Sequence, residues 1–232
     1  HAGYAYSGSV AGALFGGIDV PDEVVILCPN HTGRGEPFSL WPDGEWATPL
    51  GNVPVSERLN EAIKSSFDAV EWDVHAHLQE HSAEVQLPFL QYRNPNVRIA
   101  VLCIAAFARH DREGEREQLI RFGKALGRAF KADGQNVLIV ASSDMTHYES
   151  EESAREKDRK AIDCIEKLDE SRLHDTIHRH GITMCGYAPT VAMIAAGKER
   201  GATAAEIVKY TTSGETSGDF DRVVGYAGLI VR

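Results

Sequence analysis

The chain has 232 residues, 43% of them hydrophobic and 25% charged, and 24 Lys+Arg against 34 Asp+Glu give a net charge of −10. This composition excludes a disordered chain, and the negative balance argues against nucleic acid as a partner. No apolar run approaches the ~20 residues that a membrane span needs, and the widely separated Cys28, Cys103, Cys164 and Cys185 form neither a disulfide framework nor a zinc-ribbon pattern, which points to free thiols in a cytoplasmic protein.

In chain order, His1 stands first with no Met before it, so the chain reads either as a processed one or as a fragment whose leading segment is missing. Gly3, Gly8, Gly12, Gly16 and Gly17 make the opening glycine-rich, but no GxGxxG follows a strand and no phosphate-binding loop is present. Val24 to Cys28 is a short continuous apolar run stopped by Pro29-Asn30-His31, the pattern of a buried strand. Gly33 to Pro54 is the longest irregular stretch. Helical periodicity covers 56–66 and 80–92. Val97 to Ala105, rich in branched residues, is a second buried strand. A charged helix follows over 112–131, with Leu119, Ile120, Leu126 and Phe130 as its apolar stripe. Val137 to Ala141 is a third strand and ends in Ser142-Ser143-Asp144. Helices are expected over 152–168, 170–180 and 189–199, then a strand near 205–210. Thr212 to Asp219 reads as a turn-rich loop, better than as an anion-binding nest. Val223 to Val231 closes the chain as a mostly buried strand. The alternation predicts an α/β protein, a central mixed or parallel sheet flanked by helices, in one domain over 1–232.

Ligands of open α/β sheets gather beyond the carboxyl ends of the strands. Two predicted strands exit there into histidine-bearing loops, one holding His31 and the other Asp144 and His147. His1 opens a glycine-containing turn of the kind that follows a strand. These residues, with Cys185 and the Glu80-His81 pair, make up one candidate pocket whose imidazole and thiolate donors suit zinc, copper or iron. His77 and His81 are spaced to share a helix face, yet the His-Glu-x-x-His of zinc proteases is absent, and His77 reads better as part of an ordinary polar helix start. His75, His110, His174, His178 and His180 read as surface residues. The absence of Gly-x-Ser-x-Gly argues against an α/β-hydrolase.

Taken together, His1-Ala-Gly-Tyr4, Cys28-Pro-Asn-His31, Glu80-His-Ser-Ala-Glu-Val-Gln-Leu-Pro-Phe89, Ser142-Ser-Asp-Met-Thr-His-Tyr148, Thr183-Met-Cys-Gly186 and Ser213-Gly-Glu-Thr-Ser-Gly-Asp219 with Val224-Gly-Tyr226 resemble the Memo family in order and spacing. That family includes the Memo component of the AmmeMemoRadiSam system and is similar in fold to the class III extradiol dioxygenases, which cleave catechol rings with non-haem iron. The resemblance implies that His1, His31 and Cys185 ligate one metal, with thiolate where the dioxygenases have glutamate. It implies iron or copper first and zinc second, His147 as a general base, Asp144 as a residue that orients it, and Glu80, His81 and Tyr4 as pocket residues. It also implies a functional link to a radical SAM protein and an AMMECR-type protein. The function expected is metal-dependent, with redox or oxygenase-like chemistry on an unassigned substrate. The alternative is a non-enzymatic module that binds a peptide or metabolite in a vestigial pocket. Two departures stand out: Cys28 where the family commonly has glycine, and Tyr187-Ala188-Pro189 where many relatives have Arg-His-Pro.

Overall fold

The computed structural model describes residues 1–105, 111–132, 134 and 136–232; His110, expected at the surface, lies outside them. The first half runs α1 (Tyr4–Gly16), β1 (Glu23–Pro29), β2 (Phe38–Leu40), β3 (Glu45–Thr48), β4 (Gly51–Pro54), α2 (Glu57–Ser66) and β5 (Val70–Trp72). A 3₁₀ turn (Glu84–Gln86) then leads into α3 (Leu87–Arg93), β6 (Arg98–Ile104) and α4 (Arg112–Ala132). The remainder is β7 (Val137–Ala141), β8 (His147–Glu149), α5 (Glu151–Glu166), α6 (Glu170–His180), α7 (Tyr187–Arg200), β9 (Ala205–Thr212), α8 (Gly214–Ser217) and β10 (Val223–Val231).

The main sheet is mixed, in the order β5-β2-β6-β1-β7. Its centre is parallel, β1 pairing with β6 on one side and β7 on the other, while β2 runs antiparallel to β6. These are the three apolar runs legible in the sequence, and β1 is buried along its whole length. Alternate residues of β1 and β6 serve opposite faces, as the two-residue repeat of a strand requires. Val25, Leu27, Ala100 and Leu102 join the core that includes α4 and α7, whereas Val24, Ile26, Ile99 and Val101 pack with Phe15, Leu87 and Leu90 from α1 and α3. Cys28 points into this second face with its Sγ 3.3 Å from that of Cys103, which explains why it is tolerated beside Pro29. β9 and β10 do not join the main sheet. They form a separate antiparallel sheet in the order β8-β10-β9.

Several expectations need correction. The glycine-rich opening is a helix, α1, because tertiary contacts override weak propensity there: Val10 and Phe15 are buried, and Val10 and Leu14 lie against Gly228 of β10. The irregular stretch from 33 to 54 contains β2 and the β3–β4 hairpin. The helix expected over 80–92 forms only from Glu84 onward, so His77 and His81 share no helix face. Residues 214–217 form the single helical turn α8 inside the expected loop.

One close contact sets the position of α7. A Cβ at Gly123 or Gly127 of α4 would stand 2.2 Å from the carbonyl oxygen of Ala192 or 2.6 Å from that of Ala196. Small residues on both helices therefore permit an approach that larger ones forbid. In an exposed helix, Gly→Ala gains about 1 kcal/mol. Gly123→Ala is instead expected to lose about 1–3 kcal/mol by overpacking, read as a lower denaturant midpoint with an unchanged slope.

Candidate metal centre

The site is assembled at the carboxyl edge of the parallel strands. His31 lies two residues beyond the end of β1, and the loop carrying Ser142, Asp144 and Thr146 leaves the adjacent β7. His1 precedes α1, Glu80 to Ser82 follow β5, His147 opens β8, and Cys185 precedes α7. Gly186 makes the last placement feasible: a Cβ there would stand 2.3 Å from the Ser142 carbonyl oxygen, and its own N–H donates to Ser143 Oγ at 3.0 Å. The Asp144 loop is fixed from below by Asp158 of α5, which accepts from the Thr146 N–H, and by reciprocal backbone bonds between Met145, Thr146 and Gly225 of β10.

Hydrogen bonds fix which nitrogen of each imidazole carries the proton. The Ser142 hydroxyl has one hydrogen, and a carbonyl can only accept, so the 2.7 Å bond to the Ser82 carbonyl uses it. Ser142 Oγ therefore accepts from Gln86 Nε2 at 2.9 Å and from His1 Nδ1 at 2.8 Å. That leaves the His1 Nε2 lone pair facing Cys185 Sγ at 3.2 Å. His31 donates from Nδ1 to Glu80 Oε1 at 2.9 Å, which leaves its Nε2 for the Cys185 side. His147 donates from Nδ1 to the Thr183 carbonyl at 2.8 Å, which frees its Nε2 in the same way.

The charges follow the same frame. Glu80 is buried, and its carboxylate accepts from the His31, His81 and Ser82 backbone N–H groups as well as from the Ser82 hydroxyl. Burial alone would raise its pKa, but the bonds from His31 and Ser82 outweigh it and hold the carboxyl at about 2. The bond to the Cys185 sulfur, then the bond to Glu80, push His31 up to about 10, against the lowering effect of burial. Asp144, also buried, accepts from the His1 backbone nitrogen at 2.8 Å, and its own N–H points at Cys185 Sγ at 3.2 Å.

Ligand atoms of His1, His31 and Cys185 all lie within 4.8 Å of one another. Two overlapping groups share members with this one: Asp144, His147 and Cys185, and His31, Glu80 and His81. The His81 ring stacks on His31 at 5.2 Å and meets His1 edge-on at 5.6 Å, so it walls the same space. Exposure rises across the site, from the buried His1 to the solvent-facing His31 and His81. Tyr4 is exposed, packs edge-on against Phe89 and lines an apolar groove with Phe15, Leu50 and Tyr92. His77 is buried elsewhere, with Nε2 on the Ser39 carbonyl and Nδ1 3.5 Å from Cys103 Sγ. His75 and His180 are exposed, but His174 is not a surface residue: it is buried against Glu115, with His178 half-buried beside it.

The sequence matches the Memo-like protein family over residues 1–230. The chain belongs to the Memo family. A MEMO1 family protein of Methanopyrus kandleri is 41% identical over 236 residues, covering 100% of this chain and 81% of the relative. One from Methanosarcina barkeri is 41% identical over 232 residues, covering 100% and 84%, and one from Aquifex aeolicus is 41% identical over 231 residues, covering 99% and 83%. An uncharacterized protein of Escherichia coli K12 superposes with a TM-score of 0.59 at 14% identity, over 93% of this chain and 90% of that one, which shows a shared fold.

In this Memo family member the Glu80–His31 pair gives a titration with a definite sign. His31 is raised, so its contribution to stability is complete below the ordinary 6.5 and is lost as pH rises through about 10. Glu80 is lowered, so its contribution is present above the ordinary 4.5 and is lost as pH falls through about 2. In metal-free protein the His31 ring resonances are expected to titrate near 10 by NMR, and Glu80→Gln should move them toward 6.5. An unperturbed His31 titration would show that the pair does not form in solution.

Proposed function

We propose that this Memo family protein holds one metal ion on His1 Nε2, His31 Nε2 and Cys185 Sγ and acts by redox or oxygenase-like chemistry on a small molecule. The observation that carries the reading is the pair of imidazoles anchored through Nδ1. Ser142 and Glu80 occupy the Nδ1 positions of His1 and His31, so both Nε2 atoms are directed to the thiol. Outer partners of this kind orient metal-binding imidazoles generally.

Spacing supports the fit. Bonds of roughly 2.0–2.3 Å to nitrogen and sulfur in a tetrahedron separate ligand atoms by about 3.6 Å, and His1 Nε2 and Cys185 Sγ are 3.2 Å apart. A small outward movement of Cys185 would admit the ion. In the metal-free state His31 carries a proton on the Cys185 side, and binding requires that this proton and the thiol proton leave.

Iron or copper at this set of ligands supplies one-electron chemistry, and three protein ligands leave positions open for a small molecule. The protein's own contribution is orientation and proton movement. His147, with Nδ1 held by the Thr183 carbonyl, presents Nε2 as the base that accepts a substrate proton. Asp144 fixes His1 through its backbone nitrogen and bears on Cys185 through its N–H, so it positions two ligands at once. His31 and His81 form the solvent-facing wall through which a substrate would enter.

Elemental analysis of protein purified without affinity tags should give about one iron or copper per chain in the wild type and at least a tenfold lower occupancy in Cys185→Ala; equal occupancy would refute the ligand set. Glu80→Gln is expected to keep the fold and weaken metal affinity by about 10–100-fold, as loss of an outer partner does elsewhere. His147→Gln should retain the ion. Oxygen uptake by the iron-loaded protein across a catechol panel tests the chemistry: turnover in the wild type that His147→Gln lowers by about 10²–10⁴-fold supports it, and metal-bound protein with no turnover on any reducing substrate opposes it.

A further inference from the structure

We infer that Glu115, His174 and His178 form a second metal site, for a divalent ion of the zinc class, sharing no ligand with the first. The placement follows from the helices. The buried stripe of α6 consists of Glu170, Leu173, His174 and Ile177, and the four-residue spacing puts His178 beside His174 at the stripe's edge. Glu115 occupies the first turn of α4 on the stripe that continues through Leu119, Phe122 and Leu126. A carboxylate on an apolar stripe calls for a compensating partner.

The donor atoms converge. His174 Nε2 lies 3.0 Å from Glu115 Oε2 and His178 Nε2 lies 3.4 Å from the same oxygen. The two histidine rings are 4.4 Å apart. Metal–nitrogen and metal–oxygen bonds of roughly 2.0–2.2 Å in a tetrahedron place ligand atoms about 3.3–3.6 Å from one another, so little rearrangement would be needed to seat an ion among them.

A plain ion pair between Glu115 and His174 accounts for part of this arrangement and leaves a residue unexplained. His178 Nε2 is buried and aimed at the carboxylate, within ion-pair distance of Oε2 at 3.4 Å but outside hydrogen-bond geometry. A metal ion gives that nitrogen a partner. The surrounding contacts also have the form expected around ligands. Tyr187 donates its hydroxyl to Glu115 Oε1 at 2.8 Å, which steadies the carboxylate and leaves Oε2 toward the histidines. With His174 Nε2 on the ion, its Nδ1 carries the proton, and that otherwise unpartnered atom stands 3.7 Å from Asp175 Oδ1. Arg116 holds the same Asp175 oxygen at 2.7 Å. The side chain of His178 is 23% exposed, against 1% for His174 and 4% for Glu115, so it supplies the solvent-facing side through which an ion and its remaining water ligand would come.

Cobalt(II) separates the two sites by spectrum. A His/His/Cys site gives an intense sulfur-to-metal charge-transfer band, whereas a His/His/Glu site gives only the visible bands of a four-coordinate nitrogen and oxygen environment. In Cys185→Ala, stripped with chelator and titrated with cobalt(II), we expect one equivalent bound with the visible bands and no charge-transfer band. Zinc should displace it. Adding His178→Ala, a change at a half-exposed position, should weaken that binding at least tenfold, and His178→Gln should do the same if the ring nitrogen is the ligand. Absence of visible bands in Cys185→Ala, or binding that both His178 variants leave unchanged, would overturn the assignment. Failure of the first site alone would remove the charge-transfer band from the wild type and leave this result untouched.

Discussion

The Ser142 hydroxyl joins three separate segments of the chain, and the candidate centre depends on it. Its donor goes to the Ser82 carbonyl and its two lone pairs go to Gln86 and His1, so the end of β7, the loop before α3 and the residue before α1 are tied at one oxygen. The backbone of Ser142 is in turn paired with Leu27 of β1. An oxygen with all its hydrogen-bonding capacity committed cannot rotate without leaving a buried group unpaired, which costs about 1–3 kcal/mol per group. The tautomer of His1 is thus a consequence of sheet geometry and not of any property of His1.

Glu80 plays the corresponding part for His31, with charge added. Its carboxylate is buried, and five donors, two from His31, one from His81 and two from Ser82, compensate that burial. The two histidines of the centre are therefore held differently. A neutral hydroxyl holds the inner one and an anion holds the outer, which makes the outer imidazole the more basic donor. With Cys185 as the proposed third ligand, the carboxylate of Glu80 stands one layer out, behind His31.

The parts of this arrangement that were legible in the sequence share a cause. β1 and β6 are buried on both faces and the edge strand β7 is partly covered, so all three read as uninterrupted apolar runs, and the residues after them fall at the sheet's carboxyl edge by topology alone. His31 and Asp144 could be placed in that way. His1, Cys185 and Glu80 could be brought to the same pocket only through the family resemblance, because no local periodicity says that Gly186 lets its loop touch Ser142. α1 was missed because glycine normally disfavours helices, and here the helix is held by its contacts with β10 and α3. β2 and β5 were missed because three-residue strands carry too little pattern. The Glu115–His174–His178 cluster did leave a signal, the i, i+4 histidines on a well-capped helix. It was overlooked because Glu115 sits among charged residues in sequence and its burial arises only when α4 packs against α6 and α7.

His1 Nε2 and Cys185 Sγ, 3.2 Å apart in the candidate centre, are separated by 184 positions along the chain. An ion shared between them would close that long loop, and the entropy withheld from the unfolded chain grows with the logarithm of its length. Such an ion acts as a clasp on the entire topology. Letting go of either donor would reopen that loop, whereas the solvent-facing His31 can let go without doing so. Metal exchange would then begin at His31, the exposed member of the set, and end at the buried His1.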